Sequence, residues 1–248
     1  MITAVPGSPR WLVRQIPDSA DMVLFGFPYT GMGASTYAGW PAQIGPVAVA
    51  ALQPPGREGR IRERAHRTHA AFAGDLVAAL RPYTSRPYLL AAHCGAVPYA
   101  VQTLLHLDAA GLPLPRYVLL SSWGAPHRGL YGRLNHVDLA SLDVRAEVSA
   151  IARGMGRSLP PDLAEIVADA LREDLEIQRG YRYEPGRPLP CPIQVVAWTA
   201  DDVVPPGEVR PGWEECGAVR YTELDGDHRA FLLCPPSLRQ LVLDALRA

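Results

Sequence analysis

The chain contains no lysine: all 24 of its basic side chains are arginines. This excludes Schiff-base chemistry and a lysine general base, both of which need an amine that can lose its proton. There is no surplus of charge either. A formal net charge of −1 gives no bulk electrostatic reason to expect nucleic acid or an anionic membrane as partner. Cysteine is scarce, and the four present, Cys94, Cys191, Cys216 and Cys234, show neither a C-x-x-C pair nor Cys/His metal spacing. Free thiols and no metal are therefore expected. No run approaches the roughly 20 apolar residues of a membrane span, and no charged-then-apolar leader is visible. A cytoplasmic monomer is the simplest expectation. What the chain does have, 248 residues that are 48% hydrophobic and 20% charged, is the make-up of a globular domain with a substantial core. Residues 1–248 are expected to form one such domain.

Strand-like and helix-like segments alternate along most of the chain, which predicts a mostly parallel sheet flanked by helices. The strand candidates are 22–27, 47–52, 88–93, 116–121, 193–198 and 218–224. Helices are expected over 68–80, 98–109 and 237–247, the first with Phe72, Leu76 and Leu80 on one face. Residues 1–20, with Pro6, Pro9 and Pro17, read as a loose surface segment. Residues 126–188 break the alternation, with two helices over 139–153 and 162–180 and Pro160-Pro161 between them.

The most telling segment is Tyr88-Leu89-Leu90-Ala91-Ala92-His93-Cys94-Gly95-Ala96. An apolar strand that ends in a small-x-Cys-x-small turn has the shape of the nucleophile elbow of α/β-hydrolases, with Ala92 and Ala96 in the small positions and cysteine in place of serine. Buried cysteine is also a common small hydrophobe, so the elbow alone leaves catalytic and structural readings open. Two further residues follow in the chain order of that fold, an acid and then a histidine, each past the end of a strand. The acid is Asp201, with Asp202 as its rival. The histidine is His228, after Asp225-Gly226-Asp227. A Cys94, Asp201, His228 triad is the expectation, with Asp227 a turn residue and His93 and His127 structural. The insertion at 126–188 stands where such a fold carries a helical lid.

At these positions the chain resembles the discrete type II thioesterases of polyketide and nonribosomal peptide assembly lines. The likeness spans nearly the whole chain. It rests on Leu24-Phe25-Gly26-Phe27-Pro28-Tyr29-Thr30-Gly31-Met32-Gly33, on Leu52-Gln53-Pro54-Pro55-Gly56-Arg57-Glu58, on Ala125-Pro126-His127 and on Tyr181-Arg182-Tyr183. The resemblance implies an α/β-hydrolase fold, an oxyanion hole from the backbone of Thr30 and Gly95, and an acyl or peptidyl carrier protein as partner. The substrate would be a thioester on the carrier's phosphopantetheine arm, with no cofactor of the enzyme's own. Two departures stand out: Cys94 replaces serine, and Gly95 stands where a bulkier methionine is usual. Tetramate-forming Dieckmann cyclases are less similar, since their acid follows the strand that ends here in Ser121-Ser122.

A cysteinyl thioester keeps the activation of the acyl group, and water attacks thioesters poorly. The leading expectation is therefore transfer through an acyl-Cys94 intermediate to an acceptor other than water. Hydrolytic editing that releases free acid is the second reading, and ring closure or an inactive carrier-binding role are further ones. The arginines at 60, 62, 64 and 67 could meet an acidic carrier helix or simply be solvated.

Overall fold

The computed structural model describes residues 11–154, 158–184, 186 and 188–246. Five strands lie parallel in register, β1 (Met22–Gly26), β3 (Val47–Ala51), β4 (Tyr88–His93), β5 (Val118–Ser121) and β6 (Ile193–Trp198). β7 (Val219–Leu224) extends them in the same sense, and the two-residue β2 (Gln43–Ile44) pairs antiparallel with β3 at the opposite edge. The order is β2-β3-β1-β4-β5-β6-β7, so β4 is the middle strand of seven.

Burial explains why these segments form strands. Every residue of β1, β4, β5 and β6 is buried, which is what near-continuous apolar runs demand when both faces of a parallel sheet are covered. Alternate side chains feed two separate cores. Val23, Phe25, Leu90 and Leu120 pack with α1 (His69–Leu80) and α2 (Val97–Ala109) on one face. Met22, Leu24, Leu89 and Leu119 pack on the other with α6 (Ala230–Leu233) and α7 (Pro236–Asp244). The outer strand β7 is instead mostly half-buried, with Arg220 and Glu223 exposed, as an edge strand should be. The short helix α5 (Pro206–Val209) follows β6.

This is the mostly parallel, helix-flanked sheet of the α/β-hydrolase fold. Between β5 and β6 the chain leaves the sheet to form α3 (Val144–Gly154) and α4 (Pro161–Arg179). These two pack on each other around a small core of their own, Val144, Val148, Ala168, Leu171 and Leu175. The first of them begins five residues later than its apolar spacing predicts. Asp143 caps it, its Oδ1 accepting the Ala146 N–H at 3.0 Å, and 139–141 is a turn. The loose segment expected over 1–20 lies in part, at 1–10, outside the described residues, as does residue 247 of the last helix.

Strand order reverses at β1, whose successor β3 lies on one side and β4 on the other. Ligands of open α/β sheets bind in the crevice beyond the strand ends at such a point. The loop after β1 and the turn after β4 are the walls of that crevice.

Candidate active site

Four strand ends converge on the crevice. At the end of β4 the chain turns sharply: Cys94 takes φ +52°, a left-handed conformation, and opens a 3-10 turn over Cys94–Ala96 that runs into α2. Ala92 and Ala96, both buried, leave room for that bend. At the end of β5, Ser122 adopts the same φ of +52°. Beyond β6, Asp201 is 4% exposed. Beyond β7, a glycine at φ +142°, Gly226, brings the chain back so that His228 enters the site; a Cβ there would lie 2.6 Å from that of Ala230.

The polar groups form one connected set. His228 Nδ1 lies 3.0 Å from each carboxylate oxygen of Asp201. Ser122 Oγ donates to Asp201 Oδ2 at 2.6 Å, and the N–H groups of Val203 and Val204 donate to Oδ1 at 2.9 Å each. Burial pushes the Asp201 pKa up, but the contacts with His228, Ser122 and Val204 outweigh it and hold it at about 2. Burial likewise opposes a charge on His228, yet the negative charge available at Cys94 and the bond to Asp201 prevail, and the imidazole is lifted to about 10. Tyr29 Oη lies 3.2 Å from His228 Nε2, the ring nitrogen turned away from the carboxylate. Asp202, the rival acid, is exposed, as is Asp227.

The hydrogen-bonded line is thus Ser122–Asp201–His228, a serine, an acid and an imidazole. The expectation of a Cys–His–Asp triad, and with it of a cysteine-nucleophile variant, is corrected on this point. Cys94 stands beside the set and influences the pKa of both His228 and Tyr29, but the hydroxyl in the line is that of Ser122 and the 3.2 Å partner of His228 Nε2 is Tyr29. A second serine supports the histidine next to the turn. Ser121 Oγ lies 3.0 Å from His93 Nδ1 and accepts from Trp198 Nε1 at 2.9 Å. The His93 ring stacks on Phe231 and lies 4.5 Å from the His228 ring, and burial holds its pKa well below the ordinary value.

Thr30 and Gly95 face each other across the crevice. A Cβ on Gly95 would lie 2.2 Å from Thr30 Oγ1 and 2.3 Å from Nε2 of Gln178 in α4, so a side chain there would have to displace both. The crevice opens into an apolar cavity of about 390 Å³ between α3, α4 and the loop after β1, lined among others by Tyr29, Thr30, Val148, Ile151, Val167 and Leu171. Asp174 of α4 ties this roof to the floor, accepting the Gly31 N–H at 2.7 Å and pairing with Arg57 at 2.7 Å.

The remaining candidates stay outside the set. Cys191, Cys216 and Cys234 are buried thiols that burial raises to about 12, 11 and 11. Cys216 does find a partner that its sequence context hides, His127 Nδ1 at 3.4 Å. Two of the four arginines of the cluster find acidic partners, Arg60 in Glu63 and Arg67 in Glu173. Among the described residues no group of three or more His, Cys, Asp or Glu side chains could hold a metal, and no helix is long and apolar enough to cross a membrane. Sequence reasoning missed Tyr29, Ser122 and Gln178. Their roles depend on partners 79 or more positions away, and no local pattern signals that.

No protein-family model matches the chain. It is 26% identical over 203 residues, 78% of its own length and 76% of the relative's, to linear gramicidin dehydrogenase LgrE of Brevibacillus parabrevis. Among solved structures it is similar to the RedJ thioesterase from the prodiginine biosynthetic pathway of Streptomyces coelicolor. That match has a TM-score of 0.74 at 28% identity and covers 96% of this chain and 90% of the other. It is also similar to the type II thioesterase BorB from the borrelidin biosynthetic cluster, with a TM-score of 0.77 at 25% identity over 95% of this chain and 97% of that one. Over nearly its full length, then, the chain is similar in sequence and fold to type II thioesterases of assembly-line biosynthesis.

Proposed function

We propose that this chain hydrolyses acyl or peptidyl thioesters carried on the phosphopantetheine arm of carrier proteins, releasing the free acid. The observation that carries the reading is the buried Asp201–His228 pair, joined through Tyr29 to the wall of a 390 Å³ apolar cavity, in a chain that is similar to RedJ and BorB almost end to end. Transfer to an acceptor other than water rested on a cysteinyl intermediate. Without the Cys–His–Asp triad, hydrolysis is the better supported outcome.

In this reading His228 Nε2 takes a proton from the attacking water, whose oxygen bonds to the thioester carbon as the carbon–sulfur bond breaks, and Asp201 stabilises the imidazolium that results. The imidazolium then protonates the departing pantetheine thiolate, so the net reaction consumes one water and yields an acid and a thiol. Backbone N–H groups of Thr30 and Gly95 receive the negative charge that develops on the thioester oxygen. The segment 126–188, with α3 and α4, acts as the lid that shelters the acyl chain.

The test is hydrolysis of an acyl N-acetylcysteamine thioester. His228→Ala lowers kcat by about 10²- to 10⁴-fold, the share that positioned proton transfer supplies. Undiminished turnover by that variant would overturn the reading.

A further inference from the structure

Gln178 is a long polar side chain that is 1% exposed, in the last turn of α4 and directly over the candidate site. Burying an amide is costly unless its hydrogen bonds are made, and these are. Its Nε2 lies 3.0 Å from Thr30 Oγ1 and 3.3 Å from the Gly95 carbonyl oxygen. Its Oε1 accepts from Asn135 Nδ2 at 3.1 Å.

The orientation of this amide is fixed from behind. Asn135 Nδ2 also donates to the Tyr131 carbonyl at 2.8 Å, which can only accept, so the NH₂ end of Asn135 is the one that meets Gln178. Oε1 of Gln178 must therefore face Asn135, and its NH₂ end must face Thr30 and Gly95. The absence of a side chain at Gly95 makes the approach possible, since a Cβ there would lie 2.3 Å from the amide nitrogen. One helical turn earlier, Asp174 fixes the height of α4 by accepting the Gly31 N–H and the Arg57 guanidinium.

We propose that Gln178 is a catalytic residue, a hydrogen-bond donor carried by the lid. Its Nε2 donates to the thioester carbonyl oxygen once that oxygen reaches the backbone N–H groups of Thr30 and Gly95, exchanging its present acceptors for the oxygen on which charge develops. The inference rests on the hydrolytic reading above and names a contact that reading does not need. It makes full activity conditional on the closed position of α4, because the donor and the lid are one piece.

The experiment compares wild type, Gln178→Met and Gln178→Glu on an acyl N-acetylcysteamine thioester, with His228→Ala as control. Methionine keeps the length and removes the donor; glutamate keeps the shape and replaces the NH₂ by an acceptor. The expected result is a fall in kcat of about 100-fold for Gln178→Met, with KM changed less than about threefold. Affinity for a trifluoromethyl ketone analogue of the acyl chain, whose hydrated or adduct oxygen mimics the charged one, falls by a similar factor. A packing role alone would lower the melting temperature and raise KM while leaving kcat and analogue affinity in step with the folded fraction. The proposal is overturned by a kcat within threefold of wild type in whichever of the two variants folds. If His228→Ala also turns over at the wild-type rate, the hydrolytic reading beneath it is what has failed.

Discussion

His228 sits between two opposing influences. Burial disfavours the imidazolium, while the charge available at Cys94 and the carboxylate of Asp201 favour it, and the second pair prevails to give a pKa of about 10. The sign matters for stability. A histidine whose pKa is raised on folding stabilises the native state fully below its unfolded value near 6.5, and that contribution is lost as pH rises through about 10. Because Cys94 is the largest favourable influence, its loss is read directly at the ring. In a Cys94→Ala variant, an NMR titration of His228 shows the pKa displaced downward from that of wild type. A ring that titrates at the same pH in both proteins would contradict the electrostatic account. Gly95 is equally bound to its surroundings, since Thr30 Oγ1 and Gln178 Nε2 occupy the space of any side chain it could carry.

Among the elements, α4 carries the link between roof and sheet. Its apolar face meets α3, while Asp174 and Gln178, four positions apart and so on one face, reach down to the loop after β1. Arg57 is 7% exposed and holds Asp174 at 2.7 Å, with Glu173 farther off at 3.7 Å. Asp174→Ala leaves that guanidinium short of its nearest partner and frees the Gly31 N–H. It costs about 2–3 kcal/mol of stability, measured by urea unfolding. A loss below about 0.5 kcal/mol would show that the contact is not a stabilising one. The pairing was hidden in the sequence, where Arg57 belongs to a loop motif and Asp174 reads as an ordinary polar position on a helix.

At the scale of the whole molecule, legibility followed burial. β4 and β6 match their sequence-based bounds to the residue: both faces of each are covered, β6 ends where the cover ends and β4 ends at the left-handed turn of Cys94. β2 is two residues at an edge, too short to leave a pattern. The order of acid and histidine along the chain placed Asp201 and His228 past their strands, and the structure brings the two together at 3.0 Å. The serine on the carboxylate was not readable, since Ser122 and Asp201 are 79 positions apart and meet only because β5 and β6 are neighbours. Nor was Tyr29, which reaches His228 across 199 positions of chain.

The account stands or falls on what becomes of the acyl group. A carrier protein loaded with an acyl chain is mixed with the enzyme and an unloaded second carrier, and both carriers are followed by intact mass while free acid is quantified. Hydrolysis predicts that the donor empties, free acid appears in equal amount and the second carrier stays bare. Loading of the second carrier ahead of acid release would contradict it.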